Sequence, residues 1–229
     1  MRFRALATDY DGTIAEHGAV DESTWAAIDR LRGSGRRTVL VTGREVDELL
    51  EVCPRIDQFD RVVAENGALL YRPADRTEAL LAPRPPASFV EELIRRGVGP
   101  ISEGRVIVAT WEPHGEAVGA TIRAMGLDLR VIPNKRALMV LPSGVDKASG
   151  LAWALAELGL APVDAVAVGD AENDLAMLEA SGFAAAVANA LPELKERADL
   201  VTRGERGAGV VELIGRILDG TLPEGGGRC

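Results

Sequence analysis

The chain of 229 residues carries a net charge of −9, and 47% of its residues are hydrophobic. This length suits one large domain or two modest ones with ample apolar side chains for a core. The acidic balance excludes nucleic-acid binding through a general basic surface, but it is compatible with a small anionic ligand at a locally positive site. Two cysteines provide no disulfide framework, and no apolar run approaches the roughly eighteen residues of a membrane span. We therefore expect a cytoplasmic protein, monomeric or homodimeric, without nucleic-acid or membrane partners.

The first third of the chain alternates between strand and helix patterns. An apolar run ends just before Asp9, and further strands are predicted over residues 38–42 and 61–64. Helices are predicted to begin near residues 21 and 44. Strands that alternate with helices in this way predict a parallel sheet with helices on both faces.

Residues 73–146 have a different texture, with clustered prolines that suit a linker and balanced acidic and basic residues. We expect a compact α/β module here, with helices near residues 88–96 and 113–125 and strands at 105–111, 129–132 and 137–141. The excess acidic charge then lies in the rest of the chain.

The parallel pattern resumes with a helix from Lys147 to about residue 158 and a strand over residues 164–168. Short strands near 183–187 and 199–202 and a last helix over 209–218 complete it. The sequence therefore predicts a Rossmann-like, doubly wound α/β core from residues 1–72 and 147–220. Residues 73–146 would form an inserted α/β domain, and the glycine-rich residues 221–229 a flexible tail.

Two carboxylates follow the first strand. Asp9 and Asp11 are separated by one residue, so their side chains can share a face as the strand ends, and Gly12 permits a sharp turn. Two carboxylates about 4 Å apart repel by roughly 4 kcal/mol at an effective dielectric of about 20. A hard cation such as Mg²⁺ would relieve this repulsion. The alternative is an ordinary Asp-Gly turn.

The second candidate segment, Thr42-Gly43, lies where the next strand ends. A threonine hydroxyl and free backbone N–H groups at a helix start could hold a phosphate oxygen. Thr42 followed by Glu45 also matches a capping box, which is a purely structural alternative.

The third and fourth segments lie after the insert. Lys147 opens a helix, where its charge opposes the helix dipole; it is either a solvated surface residue or the partner of an anion. Asp170 and Asp174 lie one helical turn apart, so a metal ion or Lys147 would relieve their repulsion. Asp170 or Asn173 could alternatively cap the following helix.

Together, four segments resemble the four motifs of the haloacid dehalogenase-like phosphatase superfamily. They are Asp9-Tyr10-Asp11-Gly12-Thr13, Thr42-Gly43-Arg44, Lys147 and Gly169-Asp170-Ala171-Glu172-Asn173-Asp174. The resemblance spans essentially the whole chain. The insert resembles the type IIB cap, whose branch includes Cof-type sugar phosphatases, sucrose phosphatases and archaeal phosphoglycolate phosphatases. The insert is short for that branch and is nearest in size to that of the phosphoglycolate phosphatases.

The resemblance implies a role for each motif residue. Asp9 would be the nucleophile that forms an aspartyl-phosphate, and Asp11 the general acid and base. The phosphoryl oxygens would be held by Thr42, Gly43, Lys147 and Asn173. The resemblance also implies a Mg²⁺ cofactor held by Asp9, Asp11 (through its backbone carbonyl), Asp170 and Asp174, and a small phosphorylated metabolite as substrate. A phosphomutase or a non-catalytic phosphate-sensing module are the alternatives.

Two further segments are candidates for substrate selection. Glu65 and Asn66 follow a core strand and face the insert, although a tight turn would also explain them. Asn134, Lys135 and Arg136 contain the insert's tight basic cluster, which is either a solvated hairpin turn or a site for a second anionic group of the substrate.

Overall fold

The protein is described by a computed structural model that covers residues 2–223. The elements up to residue 80 are β1 (Ala5–Thr8), β2 (Ala15–Glu16), β3 (Ala19–Val20), α1 (Glu22–Gly33), β4 (Arg37–Val41), α2 (Val46–Val52), β5 (Arg61–Ala64), β6 (Leu69–Arg72) and β7 (Thr77–Leu80). A short 3₁₀ turn, Glu65–Gly67, connects β5 to β6.

The insert contributes a smaller set of elements. They are α3 (Ala87–Arg95), β8 (Ser102–Glu103), β9 (Val108–Trp111), α4 (Gly115–Ala124), β10 (Leu129–Asn134) and β11 (Ala137–Pro142). The four strands form an antiparallel sheet in the order β10-β11-β9-β8. Phe89, Leu93, Val118 and Val140 belong to an apolar cluster beneath it that is separate from the main core.

The remaining elements complete the core. They are α5 (Lys147–Glu157), β12 (Ala165–Gly169), α6 (Leu175–Ala180), β13 (Phe183–Ala186), α7 (Pro192–Arg197), β14 (Leu200–Val201) and α8 (Arg206–Asp219). An eight-stranded sheet runs in the order β14-β13-β12-β1-β4-β5-β6-β7. Its first six strands are parallel, whereas β6 and β7 are antiparallel to their neighbours.

The central strands read as continuous apolar runs because both faces of the sheet are covered. Every residue of β1 and of β12 is buried, as is typical of parallel strands between helical layers. Helix α1 packs against α8, and α5 packs against α6. The predicted doubly wound α/β core with an inserted α/β unit is confirmed.

The structure differs from the prediction at one boundary. Strand β7 lies within residues 73–146, yet it pairs with β6 and extends the core sheet. The core therefore continues past residue 73, because β6 and β7 form a hairpin on the edge of the sheet.

Most of the predicted tail, residues 224–229, lies outside the described residues. Leu222, near the start of the predicted tail, is partly buried and packs against the core. None of the helices within residues 2–223 has the length and apolarity that a membrane crossing requires.

Candidate active site

The sequence motifs converge at one edge of the core sheet. Asp9, Thr42 and Asp170 each directly follow a parallel strand, namely β1, β4 and β12, which are neighbours in the sheet. Lys147 is the first residue of α5. Ligands of open parallel sheets bind outside the carboxyl ends of the strands, and these residues lie at that edge.

Three aspartates form a buried acidic cluster at this edge. Asp9, Asp170 and Asp174 each offer a carboxylate oxygen, and these oxygens lie within 4.8 Å of one another. A Cβ atom at Gly12 would lie 2.4 Å from Asp170 Oδ2, and Gly12 has a φ of +85°. Glycine is therefore needed for this loop to lie against the carboxylate. The donor set consists of hard oxygens, which suits a divalent cation.

Lys147 lies inside this cluster. Its ammonium donates to Asp9 Oδ1 at 2.5 Å and to Asp174 Oδ1 at 2.6 Å, and its side chain is 1% exposed. The alternative of a solvated surface lysine is therefore wrong. Asp146 accepts from the Ser149 backbone N–H and caps the start of α5, so the helix terminus has an acidic partner of its own.

The charges in this cluster shift one another's titration. Burial and the neighbouring Asp174 raise the pKa of Asp9 to about 7, although Lys147 acts in the opposite direction. Burial by itself would lower the pKa of Lys147, but Asp174 and Asp9 raise that pKa above its usual value. Burial followed by repulsion from Asp174 also raises the pKa of Asp170. Three buried carboxylates therefore share two ammonium groups, those of Lys147 and Lys135, and the remaining negative charge favours a bound cation.

Asp174 is oriented by the backbone. Its Oδ2 accepts from the N–H groups of Asp170 at 2.9 Å and Ala171 at 3.1 Å, so the other oxygen is directed to Lys147. In the same turn, Asn173 donates from Nδ2 to Asn66 Oδ1 at 3.0 Å. The side chains of Asp170 and Asn173 therefore do not cap α6, whose N-cap residue is Asp174 without a side-chain capping bond.

Thr42 does not cap the following helix. Helix α2 has Glu45 at its N-cap, without a side-chain capping bond, and Thr42 Oγ1 instead accepts from the Arg44 N–H at 3.1 Å. The capping-box alternative is therefore wrong. Thr42 and Gly43 both line the cavity described next.

A cavity of about 330 Å³ lies between this edge and the insert. The core side includes Asp9, Asp11, Thr42, Asp170 and Asn173, and the insert side includes Ile107, Thr110, Trp111, Asn134 and Met139. The acidic cluster thus faces a partly open cleft of the size of a small metabolite.

Comparison with known proteins identifies the family. Residues 6–95 and 129–214 match the family model of haloacid dehalogenase-like hydrolases. This chain belongs to the haloacid dehalogenase-like hydrolases. The family and the enzyme class predicted from the sequence are confirmed.

Relatives of this hydrolase align over nearly the full length. Phosphoglycolate phosphatase 2 from Saccharolobus solfataricus is 43% identical over 224 residues, covering 95% of this chain and 93% of that protein. Phosphoglycolate phosphatase from Methanothermobacter thermautotrophicus is 33% identical over 225 residues, covering 94% and 99%. A solved structure of a subclass IIB sugar phosphatase has a TM-score of 0.77 at 17% identity, covering 93% of this chain and 98% of that chain. At that identity the structural likeness establishes the fold alone.

One contact of the hydrolase's site was missed from the sequence. Arg44 holds the Asp11 carboxylate with two bonds, from Nε to Oδ2 at 2.6 Å and from an Nη atom to Oδ1 at 2.8 Å. Its guanidinium also lies 5.8 Å from the Tyr10 ring centroid. Asp11 therefore engages Arg44, and its carboxylate is not part of the three-aspartate cluster among the described residues. The signal was the arginine within Thr42-Gly43-Arg44, but its partner is 33 residues away.

The three candidate selectivity residues in the insert, Asn134, Lys135 and Arg136, differ in their contacts with the cavity and the acidic cluster. Asn134 lines the cavity, and its Oδ1 is buried without a hydrogen-bond partner among residues 2–223. Lys135, at the tip of the β10–β11 hairpin, donates from Nζ to Asp170 Oδ2 at 3.0 Å. Lys135 and Arg136 are both exposed, and neither is among the residues that line the cavity. Lys135 thus extends from the insert to the acidic cluster, whereas Arg136 lies outside.

Glu65 and Asn66 are fully buried and do not line the cavity. The Glu65 carboxylate accepts from backbone N–H groups of the insert, and Asn66 contacts Asn173. Direct selection of substrate by these two side chains is therefore not supported by their positions. The predicted turn is present, with φ of +50° at Glu65 and +54° at Asn66.

Proposed function

We propose that this hydrolase cleaves a small phosphate monoester, phosphoglycolate or a sugar phosphate, through an aspartyl-phosphate on Asp9 and with Mg²⁺ as cofactor. The observation that carries the proposal is the buried Lys147 between Asp9 and Asp174, two aspartates of the acidic cluster that faces the cleft between core and insert. The names of the aligned relatives support the same class of substrate.

In the proposed reaction, an Asp9 carboxylate oxygen attacks phosphorus while the bond from phosphorus to the ester oxygen breaks. The leaving oxygen takes a proton from Asp11, which lines the same cavity and must be released by Arg44 and protonated before this step. Asp11, now ionised, takes a proton from water, and the water oxygen attacks the phosphorus of the aspartyl-phosphate while the bond from phosphorus to the Asp9 oxygen breaks. Inorganic phosphate leaves, and both aspartates return to their starting states.

Mg²⁺ would be held by the carboxylates of Asp9, Asp170 and Asp174 and by the backbone carbonyl of Asp11. The fit is supported by the close approach of three buried carboxylate oxygens and by the raised pKa values of Asp9 and Asp170. When bound, the ion neutralises negative charge on the phosphoryl group and on the attacking carboxylate.

The chain's own residues hold the phosphoryl group. Lys147 supplies a charged ammonium, because its raised pKa keeps it protonated at neutral pH. The Thr42 hydroxyl, the Gly43 backbone N–H and the Asn173 amide provide neutral donors along the cavity wall. Such preorganised donors act most strongly where water is excluded.

The test is the release of inorganic phosphate from phosphoglycolate, hexose phosphates and p-nitrophenyl phosphate. With Mg²⁺ we expect steady phosphate release, and with a chelator in its place a loss on the order of 10³-fold or more. Transfer of the phosphoryl group to a second sugar hydroxyl without phosphate release would instead indicate a phosphomutase. Binding of phosphate without any turnover would indicate a sensing module and contradict the proposal.

Lys135 is the residue we propose to recognise a carboxylate on the substrate. Its ammonium reaches Asp170 from the insert while half of its side chain remains exposed, so it can turn to the leaving group once a cation occupies the acidic cluster. For Lys135→Ala we expect KM for phosphoglycolate to rise about tenfold or more, because a charge-assisted hydrogen bond is lost. KM for an uncharged sugar phosphate should change little. Arg136→Ala, in the same turn but with no side-chain contact to the acidic cluster among residues 2–223, is the matched control, and equal KM values for Lys135→Ala and wild type on phosphoglycolate would refute the assignment.

A further inference from the structure

The Glu65 side chain joins the core to the insert. Glu65 directly follows β5, and its carboxylate accepts from three successive backbone N–H groups of the insert: Arg105 at 2.7 Å, Val106 at 2.7 Å and Ile107 at 2.8 Å. Successive N–H groups that converge in this way form an anion-binding concavity. These hydrogen bonds are charge-assisted and short, so they are stronger than hydrogen bonds between neutral amide groups.

This carboxylate depends on the insert for its stabilisation. Glu65 is 0% exposed, and no salt bridge to it is found among residues 2–223. A buried carboxylate without these three donors would be left desolvated and unpaired. The backbone at Glu65 also has a φ of +50°, which is unfavourable for a residue with a Cβ atom. The buried carboxylate of Glu65 and its unfavourable backbone conformation are thus stabilised by the contacts with the insert.

The same turn contacts the loop that lines the active site. The Glu65 N–H donates to the Arg44 carbonyl at 2.9 Å, and the Asn66 N–H donates to the Thr42 carbonyl at 2.9 Å. Asn66 also accepts from Asn173. The residues that hold the insert are therefore continuous with the backbone that positions Thr42.

On the insert side, the sequence leaves room for the carboxylate. A Cβ atom at Gly104 would lie 2.7 Å from Glu65 Cδ and Oε1 and 2.7 Å from Ile107 Cγ2, so a larger residue would push apart the carboxylate and the segment that donates to it. Ile107, the third donor, also lines the cavity. A shift in this contact would thus move the cavity wall.

We propose that Glu65 is a positioning residue whose three hydrogen bonds to residues 105–107, called the latch below, hold the insert over the active site and thereby restrict the site to small phosphate esters. The restriction by substrate size rests on the proposed function, whereas the latch does not. With these hydrogen bonds formed, the insert stays close to the core, the cleft between them stays narrow and the loop at Thr42 stays in place. Without these bonds, the insert opens more often and larger substrates reach Asp9.

The experiment compares Glu65→Gln and Gly104→Ala with wild type and with Asp47→Asn. Asp47 also pairs with the insert, through Arg105 at 2.8 Å, but this ion pair is on the surface and its removal should have little effect. Hydrogen exchange of the amides of residues 105–107 reports the latch without any substrate. The ratio of kcat/KM for a phosphoserine peptide to kcat/KM for phosphoglycolate reports the size restriction, and thermal unfolding reports stability.

For Glu65→Gln and Gly104→Ala we expect the three amides to exchange about tenfold faster and the peptide-to-phosphoglycolate ratio to rise about tenfold. Asp47→Asn should match wild type in both measurements. A merely structural role would lower the melting temperature and all activities together while leaving the ratio unchanged. That result would overturn the proposal, as would unchanged hydrogen exchange.

If wild type cleaves no phosphate ester, the proposed function fails, and the hydrogen-exchange measurement still shows whether Glu65 holds the insert. Should Glu65→Gln fail to fold, Gly104→Ala decides the same question from the insert side.

Discussion

Asp9→Asn should reduce kcat for phosphate release on the order of 10⁴-fold or more. An amide oxygen is a poor nucleophile towards phosphorus, so the proposed aspartyl-phosphate cannot form. The substitution keeps the shape of the side chain, and Asn Oδ1 can still accept from the Lys147 ammonium that Asp9 now contacts. The loss should therefore be in the chemical step, with KM changed much less than kcat.

The fold of Asp9→Asn should remain intact, and its melting temperature in the presence of chelator should equal or exceed that of wild type. Burial and Asp174 already disfavour the charge on Asp9, so removal of that charge is not costly. Asp21→Asn is the matched control, because Asp21 is exposed and makes no side-chain capping bond at α1. Retention of more than about 1% of the wild-type kcat by a folded Asp9→Asn variant would contradict the role of Asp9 as nucleophile.

Lys147→Met should lower both activity and stability. The ammonium is bonded to two buried carboxylates, and its removal leaves Asp9 and Asp174 uncompensated. Breaking a buried charge pair in this way costs about 3–5 kcal/mol of unfolding free energy. Loss of the cation that would hold the phosphoryl group should reduce kcat/KM by about 10³-fold.

Urea unfolding in the presence of chelator measures the stability change, and phosphate release with Mg²⁺ measures the activity change. Lys195→Met on α7 is the control, since Lys195 is only partly buried and lies outside the cavity. A Lys147→Met variant as stable as this control would show that the acidic cluster does not need the lysine.

Much of the active site could be predicted from the sequence because it depends on local patterns and one rule of topology. The apolar runs before Asp9, Thr42 and Asp170 mark parallel strands, and the carboxyl ends of parallel strands meet at one edge of the sheet. Lys147 at a helix start suggested an acidic partner, and the structure provides two. These residues converge because the strands that carry them are neighbours in the sheet.

The contacts that the sequence did not reveal are long-range. Arg44 with Asp11 spans 33 residues, and Lys135 with Asp170 spans 35. Glu65 binds backbone N–H groups 40 to 42 residues away, and backbone donors carry no side-chain signal in the sequence. The partners of Lys135 and Glu65 are set by how the insert packs on the core, and the pair of Arg44 with Asp11 is set by how two core loops meet; periodicity and turn patterns encode neither.

The boundary of the insert was missed for a related reason. Strand β7 is mostly exposed and lacks the apolar run of the central strands, so nothing in its composition places it in the core sheet. It is held there by pairing with β6 through a hairpin. An edge strand of this kind needs only one hydrogen-bonded neighbour and little apolar surface.

We propose that Asp9 and Asp170, which lie far apart in the chain, share one divalent ion beside the attacked phosphorus. The most direct test is a crystal structure of the hydrolase grown with Mg²⁺ and beryllium fluoride, a mimic of the phosphoryl group. We predict one Mg²⁺ with oxygens of both aspartates about 2.1 Å away. We also predict that the beryllium of beryllium fluoride is bonded to a carboxylate oxygen of Asp9. An ion bound elsewhere, or residues 9 and 170 too far apart to contact the same ion, would contradict a shared metal site.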